Sequence, residues 1–337
     1  MNVNEWNPPK LLELSGSYWK TCTLHAGVKL NIFTIIGNNS HTVHEISIKL
    51  NTSEDATLRL LNALVAMNLL IKNGNKYENT EASKTFLSKD SPKYIGYIIM
   101  HHHHLLPSWA QLDLSIKSGK PIRNRSTGDI TQEQRESFLM GMFNIAMNLA
   151  PIIVKEIDLK GKTHLLDLGG GPGTYAIHFC LANPSLKATV YDLPTTEPFF
   201  KETVKKFGLS DRINFISGNY VKDKEIFGKY DAVWISHILH GESYDTCLQI
   251  LKKASETLNN GAMVMIHEFI LNNTLDSPLH PALFSLNMLL GTEGGRSYSE
   301  GELMDMLKSC GLIEIFRHPF KGPMDSGIVM GIIKSEI

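Results

Sequence analysis

The sequence predicts an α/β chain: a doubly wound, mostly parallel sheet with one antiparallel late strand, preceded by a helical N-terminal module. Three observations carry this. From Thr163 onward, short apolar runs alternate with stretches of helical period, the pattern of strands covered by crossover helices. In the run Thr-His-Leu-Leu-Asp-Leu-Gly-Gly-Gly-Pro-Gly-Thr at 163–174, apolar residues end in Asp167 and then four glycines. That reads as a buried strand meeting a tight turn, with a helix opening at Pro172. Upstream, residues 43–77 read as helix, turn, helix and hairpin.

Composition bounds the possibilities. The 337 residues suffice for two domains with separate cores. A formal net charge of −1 gives no electrostatic case for nucleic acid or an acidic membrane surface. Cys22, Cys180, Cys247 and Cys310 form no Cys-x-x-Cys pair, so reduced thiols in a cytoplasmic protein are expected. The first residues carry neither a basic region nor an apolar core, so no signal peptide is visible. No apolar stretch approaches the roughly 20 residues of a membrane helix.

Taken in order, Leu11, Leu14, Trp19, Leu24, Val28 and Ile32 fit one or two helices that break near Gly37. Val43–Leu50 makes a short amphipathic helix. Asn51-Thr52-Ser53 is a turn capping the next, in which Leu58, Leu61, Leu64, Val65 and Leu69 recur at helical spacing. Ile71–Tyr77 is a small hairpin with Gly74 at its tip. Helix, turn, helix and β-wing describe a winged-helix module. Reading DNA would require basic and amide side chains on its second helix. Ser53–Met67 offers Arg59 and Asn62 against Glu54 and Asp55, so packing against a second subunit is the expected use.

Residues 92–150 read as helical around a loop from Gly119 to Gly128, and they contain His101, His102, His103 and His104. Helical neighbours stand about 100° apart, so at most two or three of these converge. Metal ligation and an ordinary place facing a cleft or solvent both remain open. Beyond the glycine turn, strands are expected at 187–193, 212–218, 230–239 and 262–271, with helices near 172–183, 196–207 and 244–258. The runs Leu312–Phe320 and Ile328–Ile333 flank a short Gly/Pro loop and fit a hairpin, so one late strand runs antiparallel.

The glycine spacing restricts the ligand. Alone, the cluster fits an ordinary strand-to-helix turn as well as a cradle for a small molecule. Glycines 169, 171 and 173 give Asp-x-Gly-x-Gly-x-Gly, whereas a dinucleotide fingerprint would place a glycine at Thr174. A Walker loop ending at Lys162-Thr163 would need one at Glu156. Phosphate is thus a poor candidate. About 20 residues on, the second strand ends in Asp192, a carboxylate placed to accept the hydroxyls of a ribose. A ribose without a phosphate, at the ends of parallel strands, suggests S-adenosylmethionine.

With Leu166–Thr174, Tyr191-Asp192-Leu193-Pro194, Ile238-Leu239-His240, Ser285–Leu289 and Thr292–Gly295, the chain resembles the class I S-adenosylmethionine-dependent small-molecule O-methyltransferases, those of acetylserotonin, caffeate and bacterial tailoring type. The resemblance implies a Rossmann-like methyltransferase domain and an N-terminal winged-helix dimerisation domain. The expected division is 1–92 for dimerisation, 93–150 for a helical linker and substrate cap, and 151–337 for catalysis. It implies that Gly169 and Gly171 lie against the methionine portion of the cofactor and that Asp192 holds the ribose. Gly218, Asn219 and Tyr220 would lie near the adenine, and Ser236 and His237 near the methionine end. Asp167 and Leu193 belong to the same set. No metal is expected.

Methyl transfer from a sulfonium is an in-line displacement, so the acceptor must be aligned and deprotonated. A histidine suits a phenolic acceptor, and His240 stands where this family keeps its catalytic histidine. A base histidine needs a carboxylate on its other nitrogen. Glu268 matches one of two acidic residues flanking that histidine; it also fits a strand-end carboxylate capping a loop. Asn287 and Met288 match substrate-contacting positions. Trp109, Phe138, Met142 and Met147 fit an acceptor pocket in the helical region, or core packing.

Three departures stand out. Asn219 replaces an aspartate, though its carbonyl oxygen could accept from the adenine amine. Gly241 follows the histidine in place of aspartate. Arg296 stands where the second flanking glutamate is expected, with Glu293 nearby, and an arginine there suits an acceptor bearing a carboxylate. The expected activity is O-methylation of a small aromatic or polyketide-like acceptor by a homodimer, without nucleic acid or membrane. Metal-assisted C-methylation of a keto acid, a non-methylating tailoring reaction, and a ligand-sensing regulator are the alternatives.

Overall fold

Residues 6–123 and 131–333 are described by the structure, a computed structural model. Near the N-terminus a small sheet has the order β1 (His41–Thr42), β3 (Lys76–Asn79), β2 (Leu70–Asn73). The two helices of the expected helix-turn-helix are Val43–Leu50 and Glu54–Ala66. Thr42 and Glu45 cap the first reciprocally, and the Ser53 hydroxyl accepts from Ala56 N to cap the second. β2 and β3 form the wing around Gly74, whose φ of 62° suits glycine. Ile46, Leu61, Leu64, Leu70 and Tyr77 close a core with Val28, Ile32, Phe33 and Ile36. On the second helix Arg59 pairs with Asp55 at 2.8 Å, and Glu54 with His44 at 2.9 Å. Trp6, Leu11, Leu12, Leu14, Tyr18 and Trp19 are all at least half exposed.

The packing divides the chain into two units. One holds the described residues up to Leu106 together with Thr131–Asn144; the other holds residues 107–123 and the described residues from Ile145 on. This differs from boundaries at 92 and 150. Ile99 and Met100 belong to the N-terminal core, and Asn144 Nδ2 donates to Tyr94 O. The helix Gln132–Glu156 meets the length and composition of a membrane span, contrary to the expectation that no stretch would. Its Leu149, Ala150 and Ile153 are buried in the core of the second unit instead.

That unit is built on a seven-stranded sheet of β4 (His164–Leu168), β5 (Lys187–Asp192), β6 (Ile213–Ser217), β7 (Tyr230–Ser236), β8 (Leu258–Phe269), β9 (Leu312–Lys321) and β10 (Ser326–Ile333). The order is β6-β5-β4-β7-β8-β10-β9. The first five are parallel, and β10 runs antiparallel to both β8 and β9. Alternation sorts the strand residues to two cores. Leu165, Val190 and Trp234 face one with Phe179, while Leu166, Leu168 and Ile235 face the other with Leu251 and Leu303. The helix after the glycine turn starts at Thr174 rather than Pro172, because Gly173 takes the cap position at φ 81°.

Candidate active site

Everything relevant gathers at the C-terminal ends of β4, β5, β7 and β8. β7 ends at Ser236, and the chain turns through His237, at φ 55°, into a 3₁₀ turn over Leu239–Gly241. β8 lies beside β7 with Ser236 opposite His267, so Glu268 emerges one residue further, against that turn. Glu268 is buried, and both carboxylate oxygens are engaged. Oε1 accepts from Leu239 N at 3.0 Å and His240 N at 3.3 Å. Oε2 lies 2.7 Å from His240 Nδ1 and 3.4 Å from His237 Nδ1. Burial alone would raise this carboxyl. The charge of His240 and the contacts from both histidines outweigh it and hold Glu268 well below the usual carboxylate range. Phe284 meets the His240 ring edge-on, with centroids 4.8 Å apart.

The glycine turn lies at the end of β4. Gly169, Gly171 and Gly173 have φ of 70°, 55° and 81°, which L side chains rarely adopt. A Cβ at Gly170 would fall 2.5 Å from Asp167 Cγ, so the turn folds directly over that carboxylate. Asp167 is buried: Oδ2 accepts from Ala176 N at the start of the following helix, while Oδ1 has no partner among the described residues. Burial pushes its carboxyl up to about 7. At the end of β5, Asp192 Oδ2 accepts from Gly171 N at 2.8 Å, and Oδ1 from Leu193 N and the Thr196 hydroxyl. Burial raises the Asp192 carboxyl against these bonds.

The O-methyltransferase domain family matches residues 122–313, and the O-methyltransferase dimerisation domain family matches residues 12–89. The chain belongs to the O-methyltransferase family. Among its relatives is 3-hydroxy-5-methyl-1-naphthoate 3-O-methyltransferase of Streptomyces sahachiroi, 30% identical over 96% of this chain and 95% of that one. An O-methyltransferase family protein of Burkholderia thailandensis superposes with a TM-score of 0.88 at 24% identity, covering 99% of this chain and 100% of the other. Human N-acetylserotonin methyltransferase, solved in complex with SAM, superposes with a TM-score of 0.85 at 20% identity, covering 99% and 100%.

The enzyme brings most of the expected side chains together, and several of them make contacts within the protein. Ser236 and His237, expected at the methionine end of a cofactor, turn toward β8. The Ser236 hydroxyl lies 3.0 Å from Nδ1 of His267, which burial keeps neutral. The His237 ring packs at 4.5 Å on both His267 and Phe269. The Asn219 oxygen, expected to accept from an adenine, instead accepts from Val221 N and Lys222 N at 3.0 and 3.1 Å. An amide side chain two residues ahead of a free N–H closes its own turn. The segment Gly218-Asn219-Tyr220 is held by residues the sequence did not single out. Asp223 accepts from Tyr191 OH and Asn219 N, and Lys253 donates to Tyr220 O and Asp223 O.

Arg296 is already occupied. Its guanidinium meets Glu302 at 2.6 Å and lies 5.0 Å over the Tyr298 ring, so the cation offered to an acidic acceptor has a partner in its own chain. Glu293 is exposed. The loop before Arg296 nonetheless serves the site: a Cβ on Gly295 would fall 2.4 Å from His240 O. Asn287 and Met288 lie three and four residues beyond Phe284 on the helix Leu279–Gly291, hence on the same face. Phe138 and Met142 lie in the first unit, where Phe138 packs on His101, and Trp109 is half-buried in the second.

Among the described residues the four consecutive histidines touch as neighbouring pairs, His101 with His102 and His103 with His104, and do not bring three donors to one point. His101 sits against Phe138, and His103 meets Lys29 Nζ at 3.2 Å and the His25 ring. Among the described residues, the three candidate metal donors that come within 4.8 Å of one another are His237, His240 and Glu268.

Proposed function

We propose that the enzyme methylates a hydroxyl of a small aromatic or polyketide-like acceptor, with His240 as general base and Glu268 as its partner. The observation that carries this is the 2.7 Å contact between His240 Nδ1 and Glu268 Oε2. An ionised carboxylate only accepts, so Nδ1 carries a proton, and in the neutral form of the ring Nε2 keeps its lone pair for the acceptor hydroxyl. As Nε2 takes that proton, the carboxylate stabilises the imidazolium, and the two backbone N–H groups on Oε1 stop it from rotating away.

S-adenosylmethionine is the cofactor, and when bound it supplies an electrophilic methyl group on a sulfonium. The residues present fit it. Asp192 offers a carboxylate at a strand end to a ribose diol. Gly171, over which a Cβ would meet nothing within 4 Å, leaves backbone open to close approach. The unpartnered Oδ1 of Asp167 suits a cationic amine. The dimerisation-domain match and the exposed apolar side chains of residues 6–19 support a homodimer. Four free thiols suit a reducing compartment, the cytoplasm.

Screening hydroxyaromatics for a mass gain of one methyl, with His240→Ala as control, tests the reading; equal turnover in that variant overturns the base assignment. A second reading, metal-assisted chemistry, draws on the grouping of His237, His240 and Glu268. Elemental analysis of purified protein separates the two, because stoichiometric bound metal is expected only for the second.

A further inference from the structure

The dyad determines where a hydroxyl loses its proton, and the face beside it determines which molecule carries that hydroxyl. The helix Leu279–Gly291 presents Phe284 to His240, and Asn287 one turn later. The Asn287 amide is not free to choose its orientation. Arg123 Nη2 lies 2.6 Å from Asn287 O and 3.1 Å from Asn287 Oδ1. A guanidinium only donates, so the amide must turn its oxygen to Arg123 and its NH2 away. Arg123 is itself fixed, because Ile122 N and Arg123 N both donate to Leu290 O. Gly291 makes room for it, since a Cβ there would fall 2.6 Å from Nη2. The half-buried Asn287 NH2 has no acceptor among the described residues.

We propose that Arg123 is a positioning residue that locks Asn287 as a hydrogen-bond donor. The acceptor is then a hydroxyaromatic carrying a second, hydrogen-bond-accepting oxygen, a carbonyl or carboxylate, on the same ring system. This rests on the O-methyl-transfer reading and narrows its substrate class. Recognition works as discrimination: a phenol lacking the second oxygen leaves the amide donor unpaired when it displaces water, whereas the matching molecule pairs it.

The test compares 3-hydroxy-2-naphthoate with 2-naphthol, which share a ring system and a hydroxyl and differ in the carboxylate. Methyl transfer is followed for each, and binding of each is measured separately with S-adenosylhomocysteine present. The expected wild-type preference in kcat/KM for the carboxylate-bearing naphthol is about 10- to 100-fold. Asn287→Asp keeps a partner for Arg123 but replaces the donor with a second acceptor oxygen, and the preference should collapse toward unity. Arg123→Gln should lower the same ratio, with Arg123→Lys restoring part of it, while all variants retain a cooperative thermal transition. A wild-type ratio near one, or a ratio unchanged in both Asn287→Asp and Arg123→Gln, overturns the proposal. Selective binding of the carboxylate-bearing naphthol without methyl transfer to either would count against the underlying reaction and leave the recognition intact. Equal transfer to both would do the reverse.

Discussion

Glu268 holds His240 twice, by its side chain and by its backbone. Oε2 meets Nδ1 at 2.7 Å, and Oε1 takes the N–H groups of Leu239 and His240. The orientation of the His240 ring and the conformation of its turn therefore depend on one buried carboxylate. Replacing Glu268 with Gln keeps one oxygen for the backbone but removes the charge, so kcat should fall about 10- to 100-fold with little change in melting temperature. Glu268→Ala leaves two buried N–H groups unpaired at about 1–3 kcal/mol each, so it should also lower the melting temperature by several degrees. Similar thermal stability in both variants would show that the backbone bonds carry no weight.

His240→Ala removes the proposed base and nothing that holds the glycine turn. A kcat loss of about 10²- to 10⁴-fold is expected with the affinity for S-adenosylhomocysteine, read by calorimetry, unchanged. A parallel loss of affinity would place His240 in cofactor binding instead.

Asp167 titrates against its surroundings. Its folded carboxyl is pushed up to about 7, above the usual 3.8, by burial. The folded state then binds a proton more tightly than the unfolded chain, so this group's contribution to stability falls as pH rises from about 4 to about 7 and is constant above that. Asp167→Asn should raise the melting temperature of the ligand-free protein at pH 8 and do little at pH 4, where the wild-type group is already neutral. The same variant should weaken cofactor binding, since the unpartnered oxygen loses its charge. A stabilisation equal at both pH values would rule out the titration.

Trp19 and Leu12, 68% and 72% exposed, lie in the apolar N-terminal stretch. Charges there are costly only if a second subunit covers them. Leu12→Lys with Trp19→Lys should convert a dimer to a monomer by light scattering while leaving the winged-helix core intact. A wild-type monomer would remove the premise.

What the sequence showed and what it hid divide along chain distance. β4, its glycine turn and the carboxylate ending β5 were readable because each is local: an apolar run, a positive-φ requirement, a strand terminus. Glu268 was readable as a partner of His240 only with a family resemblance, since the parallel register of β7 and β8 brings them together across 28 residues. The Arg123 clamp on Asn287 spans 164 residues and has no periodic signal. The Asn219 turn is a different case. An oxygen that could accept from an adenine amine accepts from Val221 N and Lys222 N, as an asparagine in a loop commonly bonds its own backbone two residues on.

Gly295 offers the most local test of how the loop supports His240. It is buried, its N–H is held by the Thr292 hydroxyl at 2.9 Å, and an added Cβ would fall 2.4 Å from His240 O and 2.8 Å from Gly241 C. The Thr292 hydroxyl, 2.5 Å away, is a side chain and can turn aside, but the other two atoms are backbone, so the loop or the 3₁₀ turn must shift. Gly295→Ala should therefore displace His240 relative to Glu268, lowering kcat about tenfold or more while cofactor affinity holds, because the glycine turn and Asp192 belong to other strands. Tyr298, whose hydroxyl donates to Glu242 O at 2.6 Å, supplies the comparison. Tyr298→Phe removes a bond to the same turn without adding volume, so a smaller kcat loss is expected. An unchanged kcat in Gly295→Ala, with the fold intact by circular dichroism, would mean that the turn accommodates the methyl and that the close approach is incidental to catalysis.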